Sequence, residues 1–291
     1  MIPPGLRYVR PLCLDELFAA MKEYGPKGKV FAGGTDILVQ IKSGRADVRA
    51  LIDLKRIKEL QFTWRFEGDG VVISSLMTLT AICQDPQLRA MYPILVEAVG
   101  TIGSVQVRNR GTIAGNVCNA SPAADSLPAL LLYEAAVNVI GEKGRRTIPL
   151  EQFLVGPGQT ALRECEVVES VFLPSPPKHS GAYCKLSRRR GFDLSTVSAG
   201  AMVVNDGTVR LAVGAAAPRA FRPREAEQVI AGKLECAEAL EKCLELAQAA
   251  AAPISDIRAS REYRKAMVKV LLRRAIQKAV SRFGAGGNWS D

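Results

Sequence analysis

The sequence predicts an α+β protein, with mixed α/β units in front and a three-stranded antiparallel sheet packed by helices behind. Three observations predict it. Over the first half, short apolar runs alternate with segments of helical period, the order expected of α/β units. Three strand-like runs then follow one another at 182–186, 197–204 and 208–215, the last two joined by the hairpin turn Asn205-Asp206-Gly207. Helical stretches at 223–231, 236–251 and 262–283 close the chain, the last carrying Val268, Leu271, Leu272, Ile276 and Ala279 on one stripe.

In chain order, Leu14, Leu17, Phe18 and Met21 give a helix over 14–24 that Gly25-Pro26 ends. Residues 29–32 form a strand running into Gly33-Gly34-Thr35-Asp36. Residues 37–42 then make one or two helical turns, and 50–54 the next strand. Residues 71–75 read as a strand, 78–83 as a short helix before Pro86, and 88–100 as one longer helix. After a polar, glycine-containing loop at 111–125 comes an apolar helix at 126–133. Residues 136–140 and 146–150 pair as a hairpin. Residues 166–173 alternate as a strand, and Pro174-Ser175-Pro176-Pro177 is read as the linker between domains. Residues 284–291 read as a frayed tail.

With 291 residues, 48% hydrophobic and 23% charged, the chain has globular composition and length for two or three domains. No secretory signal and no apolar run long enough to span a bilayer is present, so a cytoplasmic protein without membrane contact is expected. Seven cysteines without a Cys-x-x-Cys pair argue against a zinc ribbon or an iron–sulfur cluster in this chain. The single histidine, His179, follows the Pro-rich linker and is read as an ordinary linker residue, which disfavours a Ser-His-Asp triad or a His-rich metal site. The net charge of +10 has three candidate explanations: nucleic acid, a phosphate-bearing cofactor, or an acidic partner subunit. Aromatics are only 6%, and no aromatic-rich basic strand is present to stack bases, which argues against nucleic acid.

Residues 111–125 concentrate two glycines, two asparagines, a threonine, a serine and a closing aspartate. Small residues admit close backbone approach to a ligand, and hydroxyls and amides supply hydrogen bonds. Gly33-Gly34-Thr35, where a strand enters a helix, points successive N–H groups outward in an anion-binding arrangement. It is neither Gly-x-Gly-x-x-Gly nor a P-loop.

Three segments together resemble the FAD-binding medium subunit of the molybdenum hydroxylases, the family of xanthine dehydrogenase and carbon monoxide dehydrogenase. They are Phe31-Ala32-Gly33-Gly34-Thr35-Asp36-Ile37-Leu38; Gly111-Thr112-Ile113-Ala114-Gly115-Asn116 with Ser121-Pro122-Ala123-Ala124-Asp125; and Tyr183-Cys184-Lys185-Leu186 with Asp193. The resemblance covers essentially the whole chain. It implies a two-subdomain FAD-binding fold (PCMH-type, as in vanillyl-alcohol oxidase relatives) over 1–57 and 58–176, a C-terminal flavoprotein domain over 177–285, and a tail at 286–291. It further implies FAD held by Lys29, Val30, Phe31, Ala32, Gly33, Gly34, Thr35 and Asp36 on one side, and by Thr112, Ile113, Ala114, Gly115 and Asn116 on the other. Ile102 and Val168 would be apolar contacts, Asp125 a polar anchor, and Lys185 a contact from the C-terminal domain. Ala114 stands where the family often has glycine, and that position is expected not to need positive φ. The implied partners are a molybdenum-cofactor large subunit and a [2Fe–2S] small subunit, in a dimer of heterotrimers. Electrons would pass from the clusters through FAD to NAD+ or another acceptor. The alternatives are a self-contained FAD oxidase or dehydrogenase of the same fold, and a basic nucleic-acid-binding protein.

Overall fold

The computed structural model describes residues 5–189 and 191–284; the tail at 285–291 and Arg190 lie outside them. Strand β1 (Arg7–Val9), helix α1 (Leu14–Tyr24), β2 (Gly28–Phe31), α2 (Ile37–Lys42) and β3 (Ala50–Asp53) make the first unit. Its parallel sheet has the order β1-β3-β2. Helix α1 turns Leu17, Phe18 and Ala20 inward, onto Ile52 and Leu54 of the β3 end. Its stop is the expected one: Gly25 takes φ +52 and returns its N–H to Met21 O.

The second unit runs through β4 (Trp64–Glu67), β5 (Gly70–Ser74), α3 (Leu79–Gln84), α4 (Pro86–Met91), α5 (Pro93–Gly100), α6 (Val105–Arg108), α7 (Ile113–Asn119) and α8 (Ser126–Leu132). It continues with β6 (Ala136–Gly141), β7 (Gly144–Pro149), α9 (Leu150–Phe153), β8 (Leu154–Gly156), β9 (Gln159–Thr160) and β10 (Glu166–Pro174). Its main sheet is antiparallel throughout, in the order β4-β5-β10-β6-β7. The single helix expected over 88–100 is two helices. Pro93 brings no N–H and its ring would clash with the carbonyl four residues back, so Tyr92 leaves helical geometry at φ −129 and ψ 56. The expected loop at 111–125 contains α7, started by Thr112, whose Oγ1 accepts the N–H of Gly115 at 3.1 Å.

The third unit is β11 (His179–Leu186), β12 (Val197–Val204), β13 (Val209–Gly214), α10 (Arg224–Ile230), α11 (Ala237–Ala250) and α12 (Arg261–Gly284), with an antiparallel sheet in that strand order. Helix α12 packs on β11 and β12, and all eight residues of β12 are buried. The other face of the sheet is covered by α5 and α8 of the second unit. Two glycines permit this approach. A Cβ at Gly181 would lie 2.2 Å from Ile94 Cδ1, and one at Gly200 would lie 2.8 Å from Leu132 Cδ1.

His179 is no linker residue. It opens β11 with 5% of its surface exposed. Its Nδ1 lies 2.9 Å from Pro177 O and its Nε2 3.1 Å from the Tyr133 hydroxyl, which also accepts the N–H of Ile94. A carbonyl only accepts, so Nδ1 carries the proton and Tyr133 donates to Nε2. Burial lowers the imidazole pKa, with the nearby Arg210 adding to it against the Pro177 carbonyl, in keeping with a neutral ring.

Candidate functional site

Between β2 and α2 the chain turns through Ala32–Asp36, and this turn forms one wall of an open cleft of about 390 Å³. Lys55 steadies its base, with Nζ 3.1 Å from Ala32 O, 2.7 Å from Asp53 Oδ1 and 4.2 Å above the Phe31 ring. Gly34 sits at φ +77, where a side chain is strained. Gly33 is required by contact: a Cβ there would lie 2.0 Å from Arg110 O and 2.9 Å from Gly111 Cα. The two glycine-containing segments, nearly eighty residues apart in sequence, thus touch backbone to backbone. The N–H groups of Gly33, Gly34, Thr35 and Asp36 donate to no described residue.

The facing wall is Gly111 to Asn116. Leu79 N donates to Gly111 O at 2.9 Å and Ile113 N to Met77 O at 3.3 Å, which fixes this wall to the segment before α3. Ile113 and Val117 anchor α7 in the core. Gly115 is exposed, and a Cβ there would meet only Thr112 Oγ1, at 3.1 Å. Asn119 Nδ2 reaches Asp36 Oδ1 at 3.2 Å and ties the walls together. Ala114 lies within α7, outside the positive-φ residues, so its Cβ brings no backbone strain.

At one end stands Asp125, 5% exposed. It does not cap α8. Its Oδ1 accepts from Tyr183 Oη at 2.7 Å and Ser195 Oγ at 2.5 Å, and its Oδ2 from Lys185 Nζ at 2.7 Å. From the loop after β11, Phe192, Asp193 and Leu194 close that side, Phe192 and Leu194 being 61% and 57% exposed. Asp193 is buried, which alone would raise its carboxyl. The bond from Leu194 N and the guanidinium groups of Arg188 and Arg189 outweigh burial and hold it below the usual range. Cys118 also faces the cleft, and burial pushes its thiol up to about 12, so it stays protonated.

Of the residues expected at the site, Lys29, Val30, Ala32 to Asp36, Ile102, Thr112, Gly115, Asn116 and Asp125 line the cleft. Five do not. Phe31 turns into the core beneath the turn, and Ile113 and Ala114 bury their side chains behind α7. Val168 lies on the central strand β10, 4% exposed in the main core. Lys185 stands behind Asp125, also donating to Thr101 O at 3.1 Å. Asn119 belongs to the polar segment 111–125 read as ligand-binding, whereas Phe192 and Leu194 were not expected. Only Asp193 between them is part of a resembling segment, and only the tertiary fold brings its apolar neighbours to this place.

The donor set suits a pyrophosphate dianion: unpaired N–H groups on one wall, a glycine open to the cleft on the other, and no carboxylate between them on the turn before Asp36. Val30, Ile102, Leu79 and Val107 offer apolar surface for aromatic rings. FAD therefore fits the residues present. Among the described residues no group of three or more His, Cys, Asp or Glu could hold a metal ion, and no helix is long and apolar enough to cross a membrane.

The class defined by this fold and cleft is a flavin-binding oxidoreductase component. Residues 4–176 match the model of the FAD binding domain in molybdopterin dehydrogenase, and 182–279 that of the CO dehydrogenase flavoprotein C-terminal domain. The carbon monoxide dehydrogenase medium chain of Hydrogenophaga pseudoflava is 33% identical over 97% of this chain and 99% of its own length. The xanthine dehydrogenase FAD-binding subunit of Escherichia coli is 32% identical over 89% and 91%. A solved structure of the Hydrogenophaga pseudoflava carbon monoxide dehydrogenase superposes with a TM-score of 0.91 at 34% identity, covering 97% of this chain and 99% of that one. The chain belongs to the FAD-binding medium subunits of the molybdenum hydroxylase family. It is an oxidoreductase subunit, and its cofactor is FAD.

Proposed function

We propose that this chain holds FAD across the two touching segments and relays electrons between a [2Fe–2S] small subunit and a soluble acceptor, NAD+ being the first candidate. The observation that carries the reading is the meeting of Gly33 with the Arg110–Gly111 backbone, beside four N–H groups that bond to no described residue. In this reading Lys29–Asp36 and Thr112–Asn116 take the pyrophosphate, with Phe31, Ile113 and Ala114 contributing backbone and support. Ile102 meets the cofactor directly, and Val168 backs the lining from the core. Asp125 anchors the cofactor and Lys185 holds Asp125. FAD, when bound, supplies the capacity to accept and release electrons. The chain's residues bind it, orient it and set its surroundings.

Residues 1–57 and 58–176 serve as the FAD-binding subdomains and 177–285 as the C-terminal domain. Substrate oxidation belongs to a molybdenum-bearing large subunit, and the +10 charge serves docking to an acidic neighbour in a cytoplasmic dimer of heterotrimers. The likenesses to a carbon monoxide and a xanthine enzyme are of nearly equal size, so this chain favours neither substrate. The test is to purify the chain with its co-expressed neighbours, record the visible spectrum, and add NADH without oxygen. A bound flavin that bleaches on NADH is expected. Absence of flavin after FAD addition would sink the binding site, and a flavin that NADH leaves oxidised would sink NAD+ as acceptor.

A further inference from the structure

Asp125 closes one end of the cleft, yet most of its hydrogen-bonding capacity is taken by the C-terminal domain. A carboxylate has about four lone-pair sites. Tyr183 Oη and Ser195 Oγ occupy both sites on Oδ1, and Lys185 Nζ takes one on Oδ2. One acceptor site is left, on Oδ2, for the cleft that Asp125 lines. The supports are rigid: Tyr183 is 4% exposed and Ser195 is fully buried. The backbone at Tyr183 is itself fixed, its N–H donating to Glu97 Oε2 at 3.0 Å. Burial, with Asp125 beside it, holds the Tyr183 phenol far above its ordinary pKa, so it remains a donor at any working pH.

We propose that Tyr183 and Ser195 are positioning residues for the cofactor: they lock the Asp125 carboxylate so that its single uncommitted acceptor site meets a hydrogen-bond donor of the bound FAD. The C-terminal domain would thereby act on the cofactor through a residue of the other domain. The donor is either a ribityl hydroxyl or the imide N–H of the flavin ring, the shared chemistry being one donated proton. The inference rests on the FAD reading above.

The test compares Tyr183→Phe and Ser195→Ala with the wild-type chain in the assembled complex, measuring FAD dissociation by fluorescence, the flavin midpoint potential and thermal unfolding. Each variant should weaken FAD about tenfold, the usual effect of losing one hydrogen bond to a charged group, and should shift the potential. N3-methyl-FAD, which lacks the imide proton, should be insensitive to both substitutions if the ring N–H is the donor, and remain sensitive if a ribityl hydroxyl is. Wild-type affinity and potential in both variants, with only the unfolding temperature lowered, would overturn the proposal and leave the network as an interdomain brace. Should Tyr183→Phe not fold, Ser195→Ala decides by the same readings. Failure of the wild-type chain to bind FAD would instead sink the underlying reading.

Discussion

The cleft and the junction between the second and third units handle their polar groups in opposite ways. At the cleft, the turn from Gly33 to Asp36 leaves its N–H groups without described partners, and Gly115 leaves space beside the wall. At the junction the polar groups are matched. Glu97 on α5 accepts from Tyr183 N, Arg282 and Lys278 of the third unit. Arg222 spans Glu227 and Glu134, and Arg219 donates to Glu151 O and Leu154 O. Unsatisfied buried groups are costly, so a folded chain keeps donors free only where water or a ligand meets them. Substitutions at the cleft should therefore cost cofactor, and substitutions at the Glu97 and Arg222 contacts of the junction should cost fold.

Gly33→Val should break this rule most severely. Its side chain would enter the Arg110 carbonyl, so both flavin content and stability should fall, by ~3 kcal/mol or more in chemical denaturation. Retention of flavin by a stable Gly33→Val protein would show that the walls do not touch as described. Glu97→Ala should cost about 2 kcal/mol, since it strips a shared acceptor from two cations and an amide, while FAD content stays near wild type. Acid should act next. The lowered His179 pKa means that its contribution is complete above the unfolded value near 6.5 and is lost as pH falls through the folded value. Stability should fall more steeply between pH 7 and 5 in the wild type than in His179→Gln. Equal slopes would remove His179 from the account. The smallest cost to the fold is expected at Gly115→Val, within about 1 kcal/mol for the apo chain by helix propensity, although bound flavin should be lost. Unchanged flavin in that variant would refute the second wall as part of the site.

Much of the fold was legible because amphipathic period marks α1, α11 and α12 and short apolar runs mark the buried strands of the third unit, while Gly25 and Asn205-Asp206-Gly207 mark ends and turns. The edge strands β1 and β4 leave no signal in the sequence: they are short and largely exposed, and carry no inward-outward alternation. Helix α7 read as a loop because Gly115, Asn116 and Asn119 are poor helix formers. It is held instead by the Thr112 cap and the buried Ile113 and Val117. The cleft walls could be read because close backbone approach demands glycine, and glycine is visible as a letter. Lys185 and Val168 could be assigned to the cofactor by resemblance. Which way their side chains face depends on a neighbour remote in sequence, Asp125 for one and the core around β10 for the other. The proline-rich flank of His179 conceals the start of β11 in the sequence.

The close approach of Ile94 and Leu132 to Gly181 and Gly200 has a thermodynamic corollary. Tyr183, Met202, Val204 and Ala212 of the third unit belong to the same apolar cluster as Ile94, Leu130 and Val171 of the second. Two family models divide the chain between them, yet neither portion can leave the other without opening that cluster to water. The two should melt as one cooperative unit, giving a single calorimetric transition whose enthalpy matches its van't Hoff value. A chain cut after residue 176 should then remain insoluble or half-formed rather than yield a small flavoprotein.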